Sequence, residues 1–499
     1  MEQTLQAMHT LIRKIKHYEE AVSVLQWDMR TGAPRKGLEA RSAAVGALAA
    51  EMFKLAVSPE MGRYLDELEQ LSDSLSERDR KLIEVLRKDY DRSVKIPPDQ
   101  YEAYVTLTTH AESVWEEAKA KSDFAMFAPY LEEIVTYTRS FIALWGYEGH
   151  PYNTLLDDYE PGMTVDVLDR LFGELREQLV PLVQQVVDHP LPPADFLNQR
   201  YEKEEQQAFS LYMLEQLGFD FEAGRLDESA HPFAAGLNPG DVRITTSYKP
   251  DDFTFSLFST IHECGHALYE QNIAEELAGT PLHNGASMGI HESQSRFWEI
   301  FIGMSRPFWE RYLPKLKQHF PQQLTGVELE AFYHAINLAK PSLIRIEADE
   351  LTYNLHIIIR YELEKALIGG EIKVADLPHL WNDKYEQYLG IRPDNDAGGV
   401  LQDVHWSAGL FGYFPSYSLG NMYAAQLMHS LRGAMPDLDE RIRRGQLLPI
   451  KDWLAAHIHK HGKLKTPNEL IRGVSGEPLN PAYLIAHLRS KYAPSFLSP

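Results

Sequence analysis

The chain contains the run His262-Glu263-Cys264-Gly265-His266, the HExxH spacing. Residues four apart on a helix share one face about 6 Å apart along its axis, so imidazoles at 262 and 266 can converge on one ion. Glu263 then sits beside the ion rather than on it. A carboxylate there can take a proton from the water that attacks in a hydrolysis. A chain of this composition carries roughly 0.1 such patterns by chance, so the surroundings must decide. They favour a helix: Leu257, Ile261, Cys264, Gly265 and Leu268 form an apolar stripe, with the histidines about 120° away from it. The plainer alternative is a pair of histidines hydrogen-bonded at a core edge.

A hydrolytic zinc site needs a third protein ligand and an open position. The longer metzincin pattern requires glycine at 269 and histidine at 272. The chain has Tyr269 and Asn272 there, which excludes it. Glu270 continues the histidine face, but about 12 Å of helical rise separates it from His262. The third ligand must therefore come from another element, with Glu275, Glu276, His283, His291, Glu292 and Glu299 as candidates. Glu292 is preferred, because His291-Glu292-Ser293-Gln294 opens a helix whose antiparallel return would face the histidines. Glu299, two turns further on, is the second choice, or else a residue that orients a ligand histidine.

Six ordered blocks resemble the carboxypeptidase Taq family of metallocarboxypeptidases. They are His231-Pro232-Phe233, Asp241-Val242-Arg243-Ile244-Thr245, the HECGH run, His291 to Gln294, Ile344-Arg345-Ile346-Glu347-Ala348-Asp349, and Gly399 to Trp406. Gln26-Trp27-Asp28 and Thr31-Gly32-Ala33-Pro34 resemble its N-terminal signature, with Ala33 in place of a bulkier residue. The resemblance spans nearly the whole chain. It implies an almost entirely helical, two-lobed fold with a long groove, a homodimer, and release of single residues from peptide C-termini using zinc or cobalt. By position it makes His262, His266 and Glu292 the metal ligands and Glu263 the general base.

An exopeptidase acting at C-termini needs a cation for the substrate carboxylate, and the arginine fork suits it. Arg345, set in the apolar run Ser342 to Ile346, is the best candidate; its alternative is an ion pair with Asp349 four residues on. Arg243 would line the groove or pair with Asp241. The oxyanion formed on hydrolysis needs a donor besides the ion. His405 and Tyr423 are chosen for it, as related helical zinc peptidases place a histidine and a tyrosine downstream of the ligands, with Tyr413 and Tyr417 as competitors. Gln402 is expected to bind substrate backbone, while Asp403 and Asp241 are expected to support the site from behind. His231 belongs near the site by resemblance.

Two further patterns carry less weight. Gly285-Ala286-Ser287-Met288-Gly289 matches the nucleophile elbow GxSxG, which would make Ser287 a serine-hydrolase nucleophile. The elbow requires a buried strand just upstream, and Thr280 to Asn284 does not read as one. His457, His459 and His461 alternate, and alternate residues on a helix diverge, so this cluster reads as surface.

The elements that must position these groups are mostly helical. Apolar residues recur at helical spacing from Leu5 onward, and proline-containing breaks fall at 96–98, 148–162 and 189–194. A small β insertion is expected within 221–250, with its strand at Val242 to Tyr248, between a helical part at 1–220 and the site-bearing helices of 251–499. Helices are expected at 252–277, 287–304, 328–338 and 341–367. Even apolar content predicts a single continuous body over residues 1–499.

Composition bounds the partners. The 49 basic residues against 72 acidic ones leave a formal charge of −23. A chain this acidic is a poor match for nucleic acid or an anionic membrane. No apolar run approaches the roughly 18 residues of a membrane span. Cys264, the single cysteine, cannot form an intramolecular disulfide, and the N-terminus lacks a secretory h-region, so a cytoplasmic location is expected.

Overall fold

Leu5, Met8, Leu11, Ile12 and Ile15 recur at helical spacing, and they lie on one 30-residue helix, Glu2–Thr31. This computed structural model describes residues 1–187 and 194–493. Apart from Ala194, the break expected at 189–194 lies outside the described residues. Among the described residues eight further helices run to Leu217, and Pro97 and Pro98 start one of them, Pro98–Lys121, where a missing amide N–H costs nothing. The 148–162 stretch is less open than expected, because it holds the short helix Tyr152–Tyr159.

Three strands interrupt the helices: β1 Gly224–Glu228, β2 Ala234–Asn238 and β3 Asp241–Thr246. The last strand starts one residue earlier and ends two earlier than expected. It is central, parallel to β1 (Gly224 opposite Val242) and antiparallel to β2 (Ala234 opposite Ile244). Val242 and Ile244 are buried on the face of β3 that meets the HECGH helix. The opposite phase carries Arg243.

The HECGH helix spans Phe253–Glu270 and starts at Asp252, whose carboxylate accepts from the Phe255 amide. Its expected apolar stripe is buried throughout. The next site element is the HESQ helix, Met288–Arg296, which continues into a π-helical turn, Phe297–Gly303. The helix expected at 341–367 begins later, at Glu350, and runs to Gly369. Arg345 to Glu347 form a separate 3₁₀ turn, because Asp349 caps the long helix through the amides of Leu351 and Thr352. One connected core runs from Met8 to Tyr492. Among the described residues, no helix is long and apolar enough to cross a membrane.

Candidate metal centre

Gly265 decides how close the two site helices come. A Cβ at this position would stand 2.5 Å from the Gln294 carbonyl oxygen and 2.6 Å from Ser295 Cα. The helices therefore meet backbone to backbone, which sets Glu292 opposite His262 and His266. Gly420 makes room for the Glu292 side chain from behind, where a Cβ would lie 2.5 Å from Glu292 Cγ.

Glu292 divides its carboxylate. Oε2 faces both imidazoles, 3.7 Å from His262 Nε2 and 3.5 Å from His266 Nε2, while Oε1 accepts from Arg296 Nε at 3.1 Å. Both Nδ1 atoms are engaged elsewhere: His262 Nδ1 lies 2.8 Å from Glu299 and His266 Nδ1 2.6 Å from His291. Two imidazole nitrogens and one carboxylate oxygen are thus left converging, all within 4.8 Å of one another. Glu275, Glu276 and His283 are not in this group. The donor set and its spacing fit an ion of the zinc type, with Glu299 orienting His262.

One buried cation offsets part of the charge of two buried carboxylates. Arg296 donates to Glu292 and to Glu299 at 3.0 Å, and it lies 4.6 Å from the Tyr353 ring centre. Burial alone would raise the Glu292 carboxyl, but His262, His266 and Arg296 hold it well below the usual carboxylate range. Burial lowers His266 to about 4, leaving it neutral with a free lone pair. Burial also pushes Glu263 up to about 7, helped by Glu292 and Glu299 against the pull of His262, which suits a group that must exchange protons near neutrality. Cys264 is fully buried and its thiol is pushed far up, so it packs and does not react.

A second cluster stands beside this one. Arg345 donates to Asp403 Oδ1 through Nε at 2.9 Å and Nη2 at 2.8 Å, and Arg360 donates to Asp403 Oδ2 at 2.6 Å. Two guanidinium cations against one carboxylate leave one net positive charge. Arg345 therefore pairs with Asp403, not with Asp349. Gln402 is buried too, accepting from the Arg345 amide and from Arg360 and donating to the Leu343 carbonyl. The roles expected of Gln402 on substrate and of Asp403 behind a ligand histidine are replaced by a shared one, in which both residues hold the two arginines and the loop before Trp406.

His405 and the tyrosines follow from that loop. His405 Nε2 is 3.2 Å from the Tyr417 hydroxyl, and its ring lies 4.3 Å from Phe414. Tyr413 and Tyr417 feel the Glu292 charge and their hydroxyls titrate high, Tyr413 at about 12, mainly through burial. Tyr423 faces elsewhere. Its buried hydroxyl donates to Glu160 Oε1 at 2.6 Å, so it supports Glu160 and not the oxyanion position.

The remaining candidates sit on the sheet. Arg243 binds Asp241 through two hydrogen bonds of 2.6 and 2.7 Å and lies 5.6 Å from the Trp27 ring centre. Asp241 thus anchors Arg243 rather than backing a metal ligand. His231 is exposed in the turn between β1 and β2, where its carbonyl accepts from Ser229. Ser287 caps the HESQ helix by accepting from the Ile290 amide, and residues 281–284 before it form turns and bends instead of a strand. The elbow reading fails on that geometry. The histidine cluster is mixed, since His459 is fully buried and 2.9 Å from Gln294 while His457 is exposed.

Sequence reasoning missed Arg296, Arg360, Glu160 and the Glu270–His291 pair. Arg296 had a local signal, lying four residues after Glu292 and three before Glu299.

A profile of the carboxypeptidase Taq (M32) metallopeptidases matches residues 7–492. The chain belongs to that family. It is 52% identical over 488 residues to carboxypeptidase 1 of Bacillus subtilis, covering 98% of this chain and 97% of the relative. To thermostable carboxypeptidase 1 of Thermus thermophilus it is 43% identical over 480 residues, with 94% of each chain covered. The solved M32 carboxypeptidase of Deinococcus radiodurans superposes with a TM-score of 0.96 at 36% identity, over 99% of this chain and all of that one. This M32 chain is therefore a helical metallocarboxypeptidase that hydrolyses peptides and uses a catalytic metal, as the resemblance implied.

Proposed function

We propose that the chain releases single residues from peptide C-termini with one zinc ion held by His262, His266 and Glu292, cobalt being a workable substitute. The carrying observation is the Glu292 carboxylate, whose Oε2 faces the Nε2 atoms of both histidines while both Nδ1 atoms are engaged with other side chains. Bound there, the ion supplies Lewis acidity.

The chain's own residues do the rest. Glu263, buried beside the ligands, takes the proton of the attacking water and passes it to the leaving amine. Tyr417, paired with His405, and Tyr413 replace Tyr423 as donors to the developing oxyanion. The net positive charge of the Arg345–Asp403–Arg360 cluster attracts the terminal carboxylate, and Arg345, itself buried, is the less deeply buried of the two arginines. His231 and Arg243 belong to the sheet wall. A homodimer in the cytoplasm completes the proposal.

Metal analysis of variants tests it. Glu263→Gln is expected to keep one ion per chain and lose turnover by several orders of magnitude. Glu292→Ala should lose the ion. Full metal in Glu292→Ala and loss in Glu299→Ala would move the third ligand to Glu299.

A further inference from the structure

We propose that His291 and Glu270 are positioning residues that set the metal affinity of this centre by fixing the tautomer of His266. The proposal rests on the ligand set above. His266 Nδ1 and His291 Nδ1 lie 2.6 Å apart, and His291 Nε2 lies 2.7 Å from Glu270 Oε1. Two imidazole nitrogens at that separation share one proton, because paired lone pairs repel and paired N–H groups collide.

With both imidazoles neutral, only one direction satisfies the whole chain. An ion on His266 Nε2 takes that nitrogen's lone pair, so the proton sits on His266 Nδ1 and His291 Nδ1 accepts it. His291 then carries its own proton on Nε2, aimed at the Glu270 carboxylate. In the reverse direction His291 would donate from Nδ1, and its bare Nε2 would face carboxylate lone pairs. His266 would also hold a proton on the nitrogen the ion needs. Glu270, an acceptor only, thus removes the tautomer that excludes metal.

The packing is shaped for this chain. Glu270 ends the HECGH helix four residues after His266, and His291 immediately precedes the ligand Glu292. A Cβ on Gly285 would stand 2.7 Å from His291 Cδ2, and one on Gly236 3.1 Å from Glu270 Oε2. The Tyr269 ring lies 5.2 Å from that of His291. The two ligand histidines are therefore oriented differently, His262 by Glu299 directly and His266 by Glu270 through a second imidazole.

Glu270→Gln separates charge and direction from shape, since its amide N–H can donate to a bare His291 Nε2 and so permits the reverse tautomer. His291→Phe keeps the ring and removes both nitrogens. Zinc titration of the metal-free proteins against a chromophoric chelator should give roughly 10–100-fold weaker binding for both variants. The far-ultraviolet circular dichroism of the metal-free forms should be unchanged, and the visible spectrum of the cobalt form should shift in His291→Phe. Zinc binding within twofold of the parent in both variants, with weak binding in His266→Ala, would overturn the relay alone. Parent-like affinity in His266→Ala would overturn the ligand set and the relay together.

Discussion

Gly265 and Gln294 touch so closely that a β-carbon on Gly265 would stand 2.5 Å from the Gln294 carbonyl oxygen. The contact is backbone on backbone, so neither side can yield by rotating a side chain. Gly265→Ala must therefore separate the helices that carry the three ligands. It should cost about 1–3 kcal/mol of stability and weaken metal binding as well. Thermal unfolding and zinc titration of the variant measure the two effects; parent-like values in both would deny the contact its role.

Arg345 and Asp403 make a sharper case for substrate capture. Arg345→Gln removes the net positive charge of the cluster, and the loss should appear as roughly 10–100-fold in kcat/KM for peptides with a free C-terminus, from about 1.5–3 kcal/mol for a charged hydrogen bond. Rates on C-terminally amidated peptides should be low in both proteins. Equal losses on free and amidated peptides would assign Arg345 to structure alone.

Glu160 predicts a pH effect from outside the ligand set. Burial pushes its carboxyl up to about 7, against hydrogen bonds from Tyr423, Ser287 and the Gly289 amide. The folded state holds a proton that the unfolded state has lost, so this group's stabilisation is complete below pH ~4.5 and disappears as pH rises through about 7. Glu160→Gln should flatten the fall in unfolding free energy over that window, by up to roughly 3 kcal/mol at its upper end. An unchanged difference between parent and variant across the window would contradict the assignment.

The clustering of His262, His266 and Glu292 is legible in the sequence because its signals are local. His262 and His266 are four apart, and Glu292 opens the next helix. What escaped depends on partners far along the chain. Asp403 chose Arg345 and Arg360, 58 and 43 residues away, and Tyr423 chose Glu160 at a distance of 263. Periodicity is blind to such pairings. The helix start expected at 341 has a local remedy, since Asp349 followed by Glu350, Leu351 and Thr352 reads as an N-cap and begins the helix there. Helical rise argues against Glu270 as a ligand, and the side chain lies 2.7 Å from His291 Nε2 instead. The same reasoning could not show that His291 would fill the space between.

Hydrolysis directed to a free C-terminus by this metal and this base is what most needs a direct test. Mass spectrometry of an unblocked peptide digested by the zinc-loaded protein, beside its amidated twin, supplies it. The free peptide should give a ladder losing one residue at a time from its C-terminus, with the amidated twin left intact. Internal fragments, or equal cleavage of both peptides, would contradict this mechanism.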